Sequence, residues 1–126
     1  MIRILIVEDQ SDIRRLIRWA LDDMGYQIHE APNGAAGLNG AALLKPDIVL
    51  LDVMMPGELD GLEVCRRLKA DPQYGMPQVL MLSAMAQTRD QKAGEAAGAD
   101  AYVSKPFSPA YLAGTVERLL ATRQSA

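Results

Sequence analysis

The sequence predicts a doubly wound α/β fold, in which a five-stranded parallel sheet carries helices on both faces. Short apolar runs alternate with segments of helical period, the pattern left by repeated βαβ units. Three of the runs, Ile4 to Val7, Ile48 to Leu51 and Val79 to Leu82, are apolar throughout. Such runs are buried on both faces, so these three strands belong in the centre of the sheet.

The five strands are expected at Ile2 to Val7, Tyr26 to Glu30, Asp47 to Leu51, Gln78 to Leu82 and Ala101 to Val103. The first helix is marked by Ile13, Leu16, Ile17, Ala20, Leu21 and Met24 on one stripe, with Ser11 as N-cap and Gly25 as the stop. The last helix has Ser108 as its cap, Pro109 in its first turn and Leu112, Val116, Leu119 and Leu120 as its buried stripe. Two further helices, Asn33 to Leu44 and Thr88 to Ala97, are rich in alanine and glycine. Gly37, Gly40 and Gly94 should soften them, each by up to about 1 kcal/mol relative to alanine. Fraying is expected from Thr122 to Ala126.

With 126 residues, the chain is expected to form one domain over residues 1–123, followed by a tail at 124–126. It is 49% hydrophobic and 23% charged, the usual mix for a globular protein. No window approaches the roughly 20 apolar residues of a membrane helix, and nothing at the N-terminus resembles a signal peptide, so a cytoplasmic location is the expectation. A net charge of −3 offers no global attraction for nucleic acid; only Arg14, Arg15 and Arg18 form a local basic group. Cys65 is the sole cysteine, which excludes an internal disulfide and a multi-cysteine metal site and leaves it a role as a small core hydrophobe.

In open α/β sheets, ligands bind at the carboxyl ends of the strands near the point where strand order reverses. The residues closing the apolar runs are all polar: Glu8 and Asp9 after the first, Asp52 after the third, Ser83 after the fourth, and Ser104 and Lys105 after the fifth. Right-handed crossovers bring these ends to one edge. Each close carboxylate pair there costs about 4 kcal/mol at an effective dielectric of 20, so a cation must compensate. Oxygen-only ligands suit magnesium; zinc would want histidine or cysteine. Lys105 supplies a mobile positive charge and Ser83 a hydroxyl. A cation, a lysine, a hydroxyl and a free carboxylate are what phosphoryl transfer to an aspartate needs. Asp52 stands alone and is the nucleophile of choice, whereas the pair Glu8 and Asp9 suits metal binding.

The chain resembles the receiver domains of two-component response regulators, the CheY-like, flavodoxin-like family. The resemblance extends from Ile2 to about Arg123. It rests on Ile4 to Asp9 (ILIVED), Leu50 to Gly57 (LLDVMMPG), Asp60 to Glu63 (DGLE), Leu82 to Ala84 (LSA), Gly98 to Asp100 (GAD) and Lys105 to Phe107 (KPF). The resemblance implies strand order 2-1-3-4-5 with five helices. It implies Asp52 as phosphoacceptor and Mg2+ bound directly by Asp9 and Asp52, by Glu8 through water and by the backbone carbonyl of Met54. It also implies a cis bond before Pro106, with Lys105 aimed into the site, and a switch pair of Ser83 and Tyr102 that reshapes the face made by helix 4, strand 5 and helix 5. Partners implied are a histidine kinase or histidine phosphotransfer protein upstream, an output protein or domain downstream, and a phosphorylation-dependent homodimer. Neither membrane nor direct nucleic-acid binding is implied. The function is thus that of a self-modifying switch rather than a turnover enzyme. One departure is the extra residue between Gly57 and Asp60, where the chain reads Glu58-Leu59.

Competing readings have less support. A phosphatase or phosphotransferase of the haloacid-dehalogenase type places a second aspartate two residues after the nucleophile as general acid, and here that position is Met54. A phosphorylation-independent interaction module would have no use for the full polar constellation. Nucleotide binding lacks both a Walker loop and a Gly-x-Gly-x-x-Gly turn. His29 reads as an exposed residue of an outer strand. Met54, Met55, Met81 and Met85 read as gap-filling core and loop residues. Trp19, opposite the buried stripe of the first helix and flanked by Arg15 and Arg18, offers a face on which a histidine phosphodonor could dock.

Overall fold

The computed structural model describes residues 1–55, 57, 59–83 and 88–125, with backbone only at 88–91, 124 and 125. The sequence readings that touch Pro56, Glu58, Ala84 and Met85 fall outside the described residues. Five strands, β1 (Arg3–Val7), β2 (Gln27–Ala31), β3 (Ile48–Asp52), β4 (Gln78–Ser83) and β5 (Ala101–Ser104), alternate with five helices. The helices are α1 (Ser11–Leu21), α2 (Gly34–Leu44), α3 (Gly61–Ala70), α4 (Thr88–Ala96) and α5 (Pro109–Ser125). All strand pairs are parallel, in the order β2-β1-β3-β4-β5.

Alternation along each strand divides the apolar side chains between two cores. Leu5, Val7, Val49, Leu51, Val79 and Met81 face the side covered by α2, α3 and α4. Ile4, Ile6, Ile48, Leu50, Leu80 and Leu82 face α1 and α5. Burial on both faces is therefore the rule for β1, β3 and β4, as their unbroken apolar runs predict.

Several expected boundaries move. Strands β3, β4 and β5 each extend one residue further, so that Asp52, Ser83 and Ser104 lie within the sheet. Strand β1 starts one residue later than expected, and β2 is displaced by one. Ser11 is the first residue of α1 rather than its cap; Gln10 holds the cap position and makes no side-chain capping bond. Gly25 does stop this segment, through a 3-10 turn at Asp22–Met24 and a left-handed φ of 74°. Leu16 is exposed, whereas Ile17 and Leu21 are fully buried and Ile13 and Ala20 pack beside them against the same core. Helix α5 runs to Ser125. Arg123 ties it down, donating to the carbonyls of Met76 (2.6 Å) and Gly75 (3.1 Å).

Of the α2 glycines expected to soften the helix, Gly37 serves packing. A Cβ there would lie 2.9 Å from both methyl carbons of Val7, so its absence lets the helix approach β1 closely. Asn33, the expected first residue of α2, is instead its N-cap, accepting from Ala36 N at 2.8 Å.

Two single residues also differ from their sequence reading or confirm it. His29 is half-buried, with Nε2 enclosed and without a hydrogen-bond partner among the described residues. Its register partner Leu5 belongs to the core under α2, so His29 shares that covered face of the edge strand. Cys65 is buried, as expected, and its thiol donates to the Ala97 carbonyl at 3.5 Å. Burial pushes its pKa from the usual 9.0 up to about 11. At neutral pH that leaves roughly 100-fold less thiolate than a solvated cysteine. A thiol reagent should therefore label native protein at least that much more slowly than protein unfolded in denaturant; equal rates would contradict the burial.

Candidate functional site

The chain enters the sheet at β1, turns to β2 on one side and then crosses to β3 on the other. The reversal opens a crevice at the carboxyl ends of β1 and β3. Glu8 and Asp9 lie on one side of it and Asp52 on the other. Carboxylate oxygens of these three residues lie within 4.8 Å of one another. Glu8 is fully buried and Asp52 is 4% exposed, whereas Asp9 is at the surface.

Register explains the convergence. Val7 pairs with Leu51, so the residues that follow, Glu8 and Asp52, emerge side by side. Asp52 pairs with Leu82, which sets buried Ser83 one step beyond it on β4, and Ser83 pairs with Ser104. Lys105 follows, its N–H donating to the Ser83 carbonyl at 2.6 Å. The Lys105–Pro106 peptide is cis. Lys105 Nζ reaches Glu8 Oε1 at 2.6 Å and Asp52 Oδ2 at 3.5 Å. Asp52 Oδ1 accepts the Met54 N–H at 3.1 Å. Tyr102, half-buried, is in register with Met81 and packs on the core beneath α2 to α4.

Three carboxylates and one lysine leave excess negative charge. Desolvation, then the hydrogen bond and repulsion from Glu8, raise the Asp9 pKa above the usual carboxylate value, while its own main chain and Lys105 pull it down. Because folding raises this pKa, the stability that Asp9 contributes is present in acid and is lost as pH rises through its titration. Above that range the repulsion is one that a bound cation relieves. The donor set is oxygen throughout, which fits a hard divalent cation. Neither Cys65 in the core nor His29 on β2 belongs to this cluster.

Two parts of the site escape a reading based on strand ends. Helix α3 starts against the backbone of Asp52 and Val53: Gly61 N donates to the Val53 carbonyl at 3.1 Å, and a Cβ on Gly61 would overlap the Asp52 carbonyl oxygen and stand 2.7 Å from Val53 Cα. In the sequence this contact is signalled by the run Asp60 to Glu63. Asp60 caps the helix, accepting from Glu63 N at 2.9 Å. Arg14, legible only as one of three basic residues, donates to the Glu8 carbonyl at 2.7 Å. Both Arg14 and Arg18 pair with Glu30, so the basic group is partly neutralised, while Trp19 is 68% exposed. Among the described residues, no helix is long and apolar enough to cross a membrane.

Comparison with known proteins agrees with this geometry. A family model described as the response regulator receiver domain matches residues 4–117. The DNA-binding dual master transcriptional regulator RpaA of Synechocystis sp. is 39% identical over 120 residues, covering 95% of this chain and 49% of that protein. The transcriptional regulatory protein CseB of Streptomyces coelicolor is 42% identical over 117 residues, covering 93% of this chain and 48% of CseB. The chain spans about half the length of the curated relatives it matches. Among solved structures, the chemotaxis protein CheY4 of Vibrio cholerae superposes with a TM-score of 0.87 at 31% identity, covering 94% of this chain and 98% of CheY4. A shared sheet order, a converging acidic edge and a family match across most of the chain lead to one conclusion: this protein belongs to the response regulator receiver domain family.

Proposed function

We propose that the chain is a phosphorylation switch whose acceptor is Asp52. The observation that supports this most directly is the pairing of a nearly buried Asp52 carboxylate with a lysine 3.5 Å away and two further acidic residues beside it. An Asp52 oxygen attacks phosphorus, forming an O–P bond as the N–P bond of a phosphohistidine breaks and the imidazole leaves with the electron pair. Water later attacks the same phosphorus and restores the carboxylate. The residue acts once per cycle on itself, so the chain is not a turnover enzyme in the ordinary sense.

The cation of this reading is Mg2+, held by Asp9, Asp52 and the Met54 carbonyl, with Glu8 acting through water. Engagement of Glu8 by Lys105 at 2.6 Å favours this division of labour. When bound, the ion neutralises charge on the transferring phosphoryl group. Lys105 supplies a second positive charge and moves toward the new phosphoryl oxygens. Ser83 donates its hydroxyl to them, and Tyr102 follows by turning inward, which reshapes the face of α4, β5 and α5. A histidine kinase or phosphotransfer protein supplies the phosphoryl group, and an output protein, an output domain or a second copy of the chain reads the altered face.

Incubation with a small-molecule phosphodonor and magnesium, followed by intact-mass measurement, tests the reading. Wild type should gain one phosphoryl group and Asp52→Asn none. Equal gains would move the acceptor elsewhere; no gain by either protein would favour a phosphorylation-independent module.

A further inference from the structure

Arg14 lies on the second turn of α1, yet its half-buried guanidinium points back at the strand end that precedes the helix. Nη1 donates to the Glu8 carbonyl at 2.7 Å and Nε to Glu30 Oε1 at 3.2 Å. Glu30 in turn accepts from Arg18 Nε at 2.9 Å through its other oxygen, and Arg18 Nη2 donates to the Ile28 carbonyl at 3.1 Å. The Glu8 N–H donates to the Ala31 carbonyl at 3.1 Å. Both main-chain atoms of Glu8 are therefore fixed to β2, the nitrogen directly and the oxygen through Arg14 and Glu30. The turn is closed further by Gln10 N donating to Glu8 Oε2 at 3.3 Å and Arg14 N donating to the Gln10 carbonyl at 3.1 Å.

We infer that Arg14 is a positioning residue for the cation site, acting through the Glu8–Asp9 peptide and itself oriented by Glu30. This rests on the reading of the acidic cluster as a divalent-cation site. The Glu8 carbonyl begins the peptide plane that leads into Asp9. Rotating that plane would swing the Asp9 carboxylate away from Asp52, and a guanidinium held at two points prevents the rotation. A planar fork can span carbonyl and carboxylate together; a lysine ammonium is a point charge and holds one at a time.

The sign of the effect separates positioning from simple charge. Deleting a positive charge beside a cation site strengthens cation binding if only Coulomb attraction matters. Loss of an orienting partner weakens it, commonly by 10- to 100-fold. Calorimetric titration of the full chain with magnesium chloride therefore decides the matter. Arg14→Met should raise the Mg2+ dissociation constant about tenfold. Arg118→Met, which removes the same charge from the exposed face of α5, should leave it unchanged. Arg14→Lys keeps the charge and should fall between Arg14→Met and wild type; it decides the question if Arg14→Met does not fold. Wild-type or tighter affinity in a folded Arg14 variant would overturn the inference and leave the phosphorylation switch standing. Absence of Mg2+ binding by wild type would overturn both.

Discussion

Replacing Gly61 by alanine is expected to destabilise the fold by about 3 kcal/mol, lowering its melting temperature by about 10 °C. Helix propensity alone predicts the opposite, a gain of up to about 1 kcal/mol for glycine to alanine within a helix. Packing wins because the atoms in the way, the Asp52 carbonyl and Val53 Cα, are backbone and have no rotamer to escape into. Gly114 in α5 is the matched control, since nothing lies within 4 Å of a Cβ there. Gly114→Ala should show the propensity gain undisturbed. Denaturant unfolding of the two variants checks both signs; a stable Gly61→Ala would mean that α3 does not start against Asp52.

Lys105→Met should cost about 3 kcal/mol at neutral pH in the absence of divalent cations. The cost arises less from the lost attraction than from leaving fully buried Glu8 without its partner at 2.6 Å, inside a cluster already short of positive charge. Magnesium should restore part of the stability, because an ion that binds only the folded state adds its binding free energy to folding. Urea unfolding with and without magnesium measures both effects. If the variant matches wild type under both conditions, Lys105 is not the compensating charge. In the proposed switch the same substitution also slows phosphoryl transfer, because the lysine no longer meets the incoming anion.

The strands that were easiest to read, β1, β3 and β4, owe that clarity to double burial, which forbids polar interruptions. Their ends were legible for the complementary reason: Glu8, Asp52 and Ser83 are the first polar residues after a run that tolerates none. The expected lengths fell short at Asp52, Ser83 and Ser104 because hydrogen bonding continues one residue past the apolar pattern. Helix α3 received no boundaries from the sequence, since its buried Gly61, Val64, Cys65 and Leu68 form too short a stripe to stand out among charged neighbours. His29 was read as exposed because alternation says which residues share a face but not which helix covers an edge strand. Arg14 was least legible of all. Its partner Glu30 is 16 residues away, and the atom it holds at Glu8 is a main-chain carbonyl, which every residue possesses.

Of the three carboxylates only Asp9 is open to water, while Glu8 is fully buried and Asp52 nearly so. An ion that enters past Asp9 thus needs neither hydrophobic layer to come apart. Its exchange would be limited by dehydration and diffusion, and its occupancy by the ambient ion supply. In the proposed switch, timing would then belong to the covalent mark on Asp52, with the metal serving as a standing condition and not as a message.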